Sequence, residues 1–418
     1  MGLTPLNKEA GMHRLFNQRR IAQSLISRSL NLLTPGTPFA SELSALIKKQ
    51  GRFGSSDRRL YRELIFTYIR YKPWMEECGD DKEAAMDRTI ILAQPTKEIT
   101  TLYPTLSSPI GTVKSEDLRH RLIGKTEDEL EEILPTWLNS HIDYKIDHRA
   151  VTSLFSRPPL WLRIQKGNTI ELVEACTNAS RNKDIPCITH PTIPNCIQAP
   201  SDLPLANIPP YESGELEVQD ISSQILLLLG AISPKGKWLD ACAGAGGKTL
   251  QLAQRLGKNG TVTAYDPRPT SLRELERRAK RSRVRNIEIS PNKPEKQEFD
   301  GVLVDAPCSG SGTWRRHPYL MWQTNEARVM AHAKAQLEIL VHYSQCVKPG
   351  GLLLYSTCSL SRFENQHVVE AFLEQANEKF ECVRLGPKYG LEADPIGVTI
   401  HPWDFNGDGL FIAALRRK

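Results

Sequence analysis

The chain has 418 residues, too many for one ordinary hydrophobic core, and a globular composition with 40% hydrophobic and 24% charged residues, so two or three domains are expected. No N-terminal run has the basic, apolar and small-residue order of a signal peptide, and no stretch of about 18 apolar residues could span a bilayer. Secreted and membrane classes are therefore set aside, and a cytoplasmic protein is expected. The nine cysteines are scattered and odd in number, which fits free thiols in a reducing compartment better than a disulfide framework.

The net charge of +6 is unevenly placed. Residues 1–75 hold 13 Lys/Arg against four Asp/Glu, an excess that attracts polyanions through counterion release. Nucleic acid is the expected partner, with Arg58 and Arg59 among the candidate contacts, and a solvated helical surface is the plainer alternative. Apolar residues recur three and four apart in residues 19–33, in ASELSALIKKQ and in SSDRRLYRELIFTYIRYK, so this segment reads as helical. Ser55 or Ser56 is the expected N-cap of the third helix and Pro73 its stop. An acidic, irregular stretch follows to about residue 135, with a further helix expected at 126–138.

From about residue 143 the texture changes. PLWLRIQ is strand-like, NTIELVEACTNAS helix-like, and IPCITH and NCIQAP are short apolar runs bounded by prolines, which predicts a small α+β module. Cys187, His190 and Cys196 lie close together there, but three candidate ligands on a Pro-rich stretch do not make a zinc module. They read as loop, and no metal is expected. The connection PLANIPPYESGE leads into strand-helix alternation: GKWLDACA, TVTAYDP, FDGVLVDAP and GGLLLYSTCS are strands separated by helical patterns. Such alternation predicts a mostly parallel sheet with helices on both faces and ligands at the carboxyl ends of its strands.

The first such end reads DACAGAGGKT, residues 240–249. Its Gly247-Lys248-Thr249 ending imitates a phosphate-binding P-loop, and GVLVDAP imitates the strand whose Asp holds magnesium. A P-loop needs glycine where Cys242 stands. Small residues here let backbone approach a ligand at a helix N-terminus, and Asp266, at the end of the next strand, is placed to hydrogen-bond a ribose diol. That pair is shared by dehydrogenases and by S-adenosylmethionine-dependent methyltransferases, and the absence of a strict Gly-x-Gly-x-x-Gly lowers the first reading. Two cysteines discriminate. VDAPCSGSG puts Asp305 and Cys308 at one strand end, and YSTCSLSRFEN puts Cys358 at another. Carbon 5 of cytosine becomes nucleophilic only after a thiolate adds to carbon 6, and a second group is then needed for elimination. Asp305 is suitably placed to hold the base.

DACAGAGGKT, DAPCSGSGTWRRHP and STCSLSRFEN together resemble the motifs of the RsmB/NOP/Sun family of RNA cytosine-C5 methyltransferases. EVQDISSQILLLLG is similar to that family's entry helix, FSRPPLWLRI to its RNA-recognition-like module, NGDGLFIAALRRK to its closing strand, and GRFGSSDRRLYRELIFTYIRYK to the NusB-like domain of bacterial members that modify 16S rRNA. The resemblance implies a multidomain α/β protein: a helical NusB-like RNA-binding domain at 1–140, an α+β RNA-recognition-like module at 141–215, and a Rossmann-like methyltransferase domain at 216–418. It implies 5-methylcytidine formation in RNA, with 16S rRNA the expected substrate, tRNA or another RNA an alternative, and a catalytically vestigial ribosome-assembly factor a further one. It makes Cys358 the nucleophile and Cys308 the residue that assists elimination, an order that spacing does not show. Cys242, Ala243, Gly244, Ala245, Gly246, Gly247, Lys248, Asp266 and Asp305 would surround S-adenosylmethionine, with Lys248 and Asp305 facing the reaction site.

Two departures from the family pattern affect expectations. The third strand, NIEISPNKP, lacks the usual Asp, leaving Ser290 or Asn292 to meet the adenine, and Tyr319, Leu320 and Met321 precede Trp322 where an Asp and a Lys often stand. Arg315, Arg316 and His317 are expected to hold RNA backbone phosphate near a flipped nucleotide. The basic run at 273–285 is expected to be a solvated helix face packed through Leu272, Leu275 and Ala279. A monomer is expected.

Overall fold

The computed structural model describes residues 5–93, 127–180, 185–295, 298–392 and 394–418. Most of the acidic stretch, and Thr126 at the start of the helix expected at 126–138, lie outside them. The chain divides into two compact units.

The first unit comprises residues 1–139, 145–156 and 317–325. Its described elements are helical, among them Pro5–Leu30, Phe39–Gln50, Ser55–Arg70, Lys72–Glu76 and Lys82–Leu92. Their apolar stripes meet in a core of Leu25, Leu43, Ile47, Leu64, Ile65, Ile69 and Met86. The third helix starts at Ser55 with Gly54 as its N-cap and no capping side chain, so neither serine caps it. Nor does Pro73 stop it. That helix ends at Arg70, and Pro73 sits in the first turn of Lys72–Glu76, where a missing N–H costs no helical bond. Helix 126–138 is also shorter than expected: Glu127–Glu131 is α-helical and residues 136–141 form a 3-10 turn.

Residues 317–325 join this unit because their side chains are held in it. The Trp322 indole donates to Ile69 O at 2.8 Å, Gln323 donates to Leu32, Thr34 and Thr37 carbonyls, and Tyr319 stacks on Phe39 with ring centroids 4.5 Å apart. The apolar Tyr-Leu-Met before Trp322, a departure at sequence level, belongs to this packing.

The second unit carries two sheets. One is antiparallel, in the order β2-β3-β1-β4, from β1 Leu160–Ile164, β2 Ile188–Thr189, β3 Cys196–Ala199 and β4 Leu216–Val218. The other contains β5 Gly236–Asp240, β6 Gly260–Ala264, β7 Ile287–Ile289, β8 Phe299–Asp305, β9 Val347–Thr357, β10 Phe380–Cys382, β11 Val398–Ile400 and β12 Leu410–Arg417. Its order is β10-β12-β9-β8-β5-β6-β7, with β11 beside β12. Strands β5 to β9 pair in parallel, and β12 runs antiparallel to β9. Strands β8 and β9 read as nearly continuous apolar runs because helices cover both faces.

Polar groups weld the two sheets into one unit. Buried Arg163 of β1 donates to Gln219 at 2.5 Å, Gln165 at 2.6 Å and Gln254, and burial pulls its pKa down to about 9. Glu217 of β4 pairs with Arg278 at 2.8 Å and Arg281 at 2.6 Å on helix Pro269–Ser282. That helix buries Leu272, Leu275 and Ala279. Arg273, Arg277 and Lys280 are exposed on it, but Arg278 and Arg281 are engaged by Glu217 rather than solvated.

The loop after β8 is locked to the ends of β9 and β12 at Gly312. Its N–H donates to Cys358 O at 2.9 Å, its carbonyl accepts from Gly409 N at 2.8 Å, and an added Cβ would lie 2.1 Å from Gly409 O. Gly312→Ala is predicted to lower unfolding stability by about 1–3 kcal/mol, as overpacking does; urea unfolding with an unchanged midpoint would contradict this packing.

Candidate active site

Strand β5 lies between β6 and β8, and its carboxyl end opens into the crevice where such sheets bind ligands. Asp240, the last residue of β5, is 1% exposed and accepts from Thr249 Oγ1 at 2.7 Å and from Cys242 N at 3.4 Å. Burial pushes its pKa up to about 7. Gly246 then adopts φ +88° at the N-terminus of helix Gly247–Leu256, where a Cβ would stand 2.2 Å from Leu275 Cδ1. Only glycine fits both demands. Thr249 is thus turned into the protein, and Lys248 forms an ion pair with Asp305 at 2.8 Å. Burial lowers the Lys248 pKa, but Asp305 outweighs it and the net shift is upward. Both side chains are engaged by carboxylates, Lys248 by Asp305 and Thr249 by Asp240, so the P-loop resemblance fails on geometry as well as on Cys242.

Asp266 follows β6 and is buried. It accepts from Gly244 N and from the backbone N–H, Nε and Nη2 of Arg268, all at 2.9 Å. Burial alone would raise its pKa, and these bonds hold it below the usual carboxylate range. Beside it opens a cleft of about 810 Å³, lined by residues 241–245, 247 and 248, by Tyr265 to Arg268, and by Asp305, Cys308 and Cys358. That volume lies within the usual range for small-molecule sites. A Cβ at Gly247 would meet nothing within 4 Å, so the helix N-terminus faces open space. After β7 it is Lys293 that lines the cleft, its ammonium 5.7 Å from the centre of the Tyr343 ring, together with Ile339 and Tyr343. Asn292 does not: it is exposed, and its carbonyl accepts from Ser290 Oγ at 2.7 Å. The expected adenine contact through Asn292 is corrected to a wall formed by Lys293.

At the far end of the cleft the two cysteines meet. Strands β8 and β9 pair with Asp305 opposite Ser356, so Cys308 and Cys358 leave the sheet side by side, and their sulfurs are 3.3 Å apart. The bond to Cys358, and then burial, push the Cys308 thiol well above its ordinary pKa. Asp305 Oδ1 accepts from Ser356 Oγ at 2.8 Å while Oδ2 holds Lys248. The arrangement offers a thiol pair, a carboxylate with both oxygens engaged, and an ammonium group on one cleft wall.

The residues expected to hold RNA separate into two kinds. Arg58, Arg59 and His317 are exposed. Arg315 is 2% exposed and donates to Pro402 O at 3.1 Å, Gly407 O at 2.9 Å and Asn406 Oδ1 at 2.6 Å. Arg316 grips Asp408 at 3.0 Å and Asp220 at 2.6 Å. Both guanidinium groups are consumed in bracing the loop after β8, which corrects their assignment as phosphate contacts. Two residues passed over at sequence level stand out instead. Glu364 is 0% exposed and Asn365 accepts from Thr357 Oγ1 at 2.5 Å. Their signal was the Glu-Asn at the end of the second cysteine motif.

Residues 227–416 match the family model for the 16S rRNA methyltransferase RsmB/F. Over 91% of this chain and 93% of its own length, the ribosomal RNA small subunit methyltransferase B of Xanthomonas campestris pv. campestris is 30% identical. The chain belongs to the RsmB/F methyltransferase family. The enzyme of the same name from Yersinia pestis bv. Antiqua (strain Angola) is 28% identical over 97% of this chain and all of its own. Among solved structures, a methyltransferase homolog protein from Pyrococcus horikoshii covers 72% of this chain and 98% of its own, with TM-score 0.57 and 24% identity. NSun6 from Pyrococcus horikoshii, solved with SFG, covers 72% and 97%, with TM-score 0.56 and 16% identity. These two share the methyltransferase fold. The cofactor is S-adenosylmethionine.

Asp240 gives this RsmB/F site a testable pH signature. Its folded pKa, about 7, lies above the ordinary 3.8, so the protonated carboxyl favours the fold below about pH 4 and that contribution is lost as pH rises through about 7. Asp240→Asn stays neutral throughout. The urea midpoint of the variant relative to wild type should therefore move in the variant's favour between about pH 5 and about pH 8; a constant difference would contradict a buried, raised Asp240.

Proposed function

We propose that this chain forms 5-methylcytidine in 16S rRNA through a covalent cysteine adduct at carbon 6 of the base. The observation that carries the reading is the 3.3 Å thiol pair beside the Lys248–Asp305 ion pair, at the end of a methyl-donor cleft. Bound there, S-adenosylmethionine supplies an electrophilic methyl group on a sulfonium sulfur. Cys242 to Ala245, Gly247 and Asp266, which line that cleft, would hold it, with the Asp266 carboxylate as acceptor for its ribose hydroxyls.

The target cytosine leaves its stack to reach the thiols. Cys358 attacks carbon 6 as thiolate, which makes carbon 5 enamine-like and able to take the methyl group. Asp305, steadied by Lys248 and Ser356, holds the base at its N3/N4 edge. Methyl transfer leaves S-adenosylhomocysteine; Cys308, as thiolate, then takes the carbon 5 proton, and the carbon 6–sulfur bond breaks to restore the double bond and release Cys358. The basic helical unit, with Arg58, Arg59 and His317 on its surface, and the four-stranded module hold RNA by charge and shape. The complete constellation of Cys308, Cys358, Asp305 and Asp266 argues against a vestigial site.

Cys358→Ala is predicted to abolish transfer of labelled methyl to RNA, by at least about 10³-fold, as expected for loss of a nucleophile. Cys308→Ala is predicted to accumulate a protein-RNA adduct that survives denaturing electrophoresis. An adduct with Cys358→Ala and none with Cys308→Ala would reverse the roles; methyl transfer undiminished in both would sink the thiol mechanism.

A further inference from the structure

The methyl donor has a direction, and the sheet gives that direction two fixed points. In S-adenosylmethionine the sulfonium and the adenine leave the ribose from opposite sides, with the diol between them. Cys308 and Cys358 stand beyond β8 and β9, Asp266 stands beyond β6, and β7 ends the strand order on that side. With the transferable methyl at the thiols and the diol at Asp266, the adenine falls on the β7 side. Lys293 lines the cleft there.

The backbone on either side of this exposed lysine is held. Before it, Ser290 N donates to Ala264 O at 2.9 Å and the Ser290 hydroxyl donates to Asn292 O at 2.7 Å. After it, Pro294 is buried, and its carbonyl accepts from the buried Cys346 thiol at 3.9 Å. The Lys293 ammonium lies 5.7 Å from the centre of the Tyr343 ring, within the range of a cation–π attraction. Tyr343 is 3% exposed and belongs to the core formed with Phe299, Val347 and Phe372. A fixed ring therefore steadies the ammonium at the wall of the cleft.

The polar groups of adenine are of two kinds. Its ring nitrogens N1, N3 and N7 accept hydrogen bonds, and its 6-amine donates. A lysine has three donors and no acceptor, whereas a carboxylate has only acceptors. Lys293 can thus meet a ring nitrogen and has nothing to offer the amine. The carboxylates among the described lining residues are Asp266, assigned to the ribose, and Asp305, engaged by Lys248 and Ser356.

We propose that Lys293 is a specificity-determining residue of the methyl-donor site: its ammonium donates to a ring nitrogen of the adenine, so that this chain selects its cofactor by an acceptor on the ring rather than by the 6-amine. The proposal rests on the reading above for which end of the cleft receives the methyl group.

The test is calorimetric binding to the full-length protein without RNA. The probes are S-adenosylhomocysteine, its 1-deaza, 3-deaza and 7-deaza analogues, each with one ring nitrogen replaced by C–H, and its 6-deamino analogue. Lys293→Met should weaken S-adenosylhomocysteine by about tenfold or more, as for loss of a hydrogen bond to a charged group, and Lys293→Arg, which keeps donors, should stay within about threefold of wild type. In wild type one deaza analogue should bind about tenfold or more weakly; in Lys293→Met that same analogue should match S-adenosylhomocysteine, the coupling that a direct contact requires. The 6-deamino analogue should bind wild type within about threefold of the parent. Unchanged affinity in Lys293→Met, deaza penalties that are the same in wild type and variant, or a tenfold loss with the 6-deamino analogue would each overturn the proposal. Should Lys293→Met not fold, the wild-type series still decides, because three deaza analogues binding as tightly as the parent leave no ring nitrogen in contact. All of these readouts are of binding, so failure of the cytosine chemistry would appear separately, as a missing Cys308→Ala adduct.

Discussion

Adjacent parallel strands deliver the residues that follow them to one place, and the pairing of β8 with β9 is the constraint on which this site depends. With Asp305 opposite Ser356, a thiol three residues past the first and a thiol two residues past the second arrive 3.3 Å apart. Backbone geometry brings them near, but the loops beyond the sheet must be held. Glu364 does this from one side and Gly312 from the other, where the backbones of three segments approach too closely for a side chain. The bracing by Arg315 and Arg316 continues the same task. Arg315 and Arg316 thereby fix this loop through carbonyls and carboxylates of distant segments.

Most of the methyltransferase sheet was legible because its evidence is local. Apolar runs such as FDGVLVD and GLLLYST end in small or acidic residues, and those endings are the ligand-bearing edge. Asp266, Asp305 and both cysteines were found by that rule. Asn292 was not placed correctly because no local pattern tells which residue of SPNKP faces the cleft. Arg315 and Arg316 were misjudged for a related reason: a basic pair beside a reactive cysteine looks like a phosphate clamp until its partners, Asn406, Asp408 and Asp220, arrive from about 90 residues away in sequence. Residues 317–325 joined the helical unit for the same reason, since the carbonyls that receive Trp322 and Gln323 lie far back in the chain.

The glycine-lysine-threonine ending shows how one short pattern serves unrelated chemistry. In both settings glycine lets backbone approach a ligand at a helix N-terminus. Here the lysine turns to a carboxylate on the neighbouring strand and the threonine turns inward to Asp240. The ammonium group then lies among Asp240, Asp305 and Cys358 rather than among phosphates. The second strand ending in Asp, which imitated a magnesium ligand, completes that ion pair.

The most direct test of the account is the identity of the nucleoside made. Purified full-length protein would be incubated with labelled S-adenosylmethionine and 16S rRNA from cells lacking the corresponding activity, and the RNA digested and separated by chromatography with mass detection. The account predicts label in 5-methylcytidine and nowhere else. Label in a methylated adenosine, guanosine or ribose, or in N4-methylcytidine, would contradict it, since none of those products needs a thiolate at carbon 6.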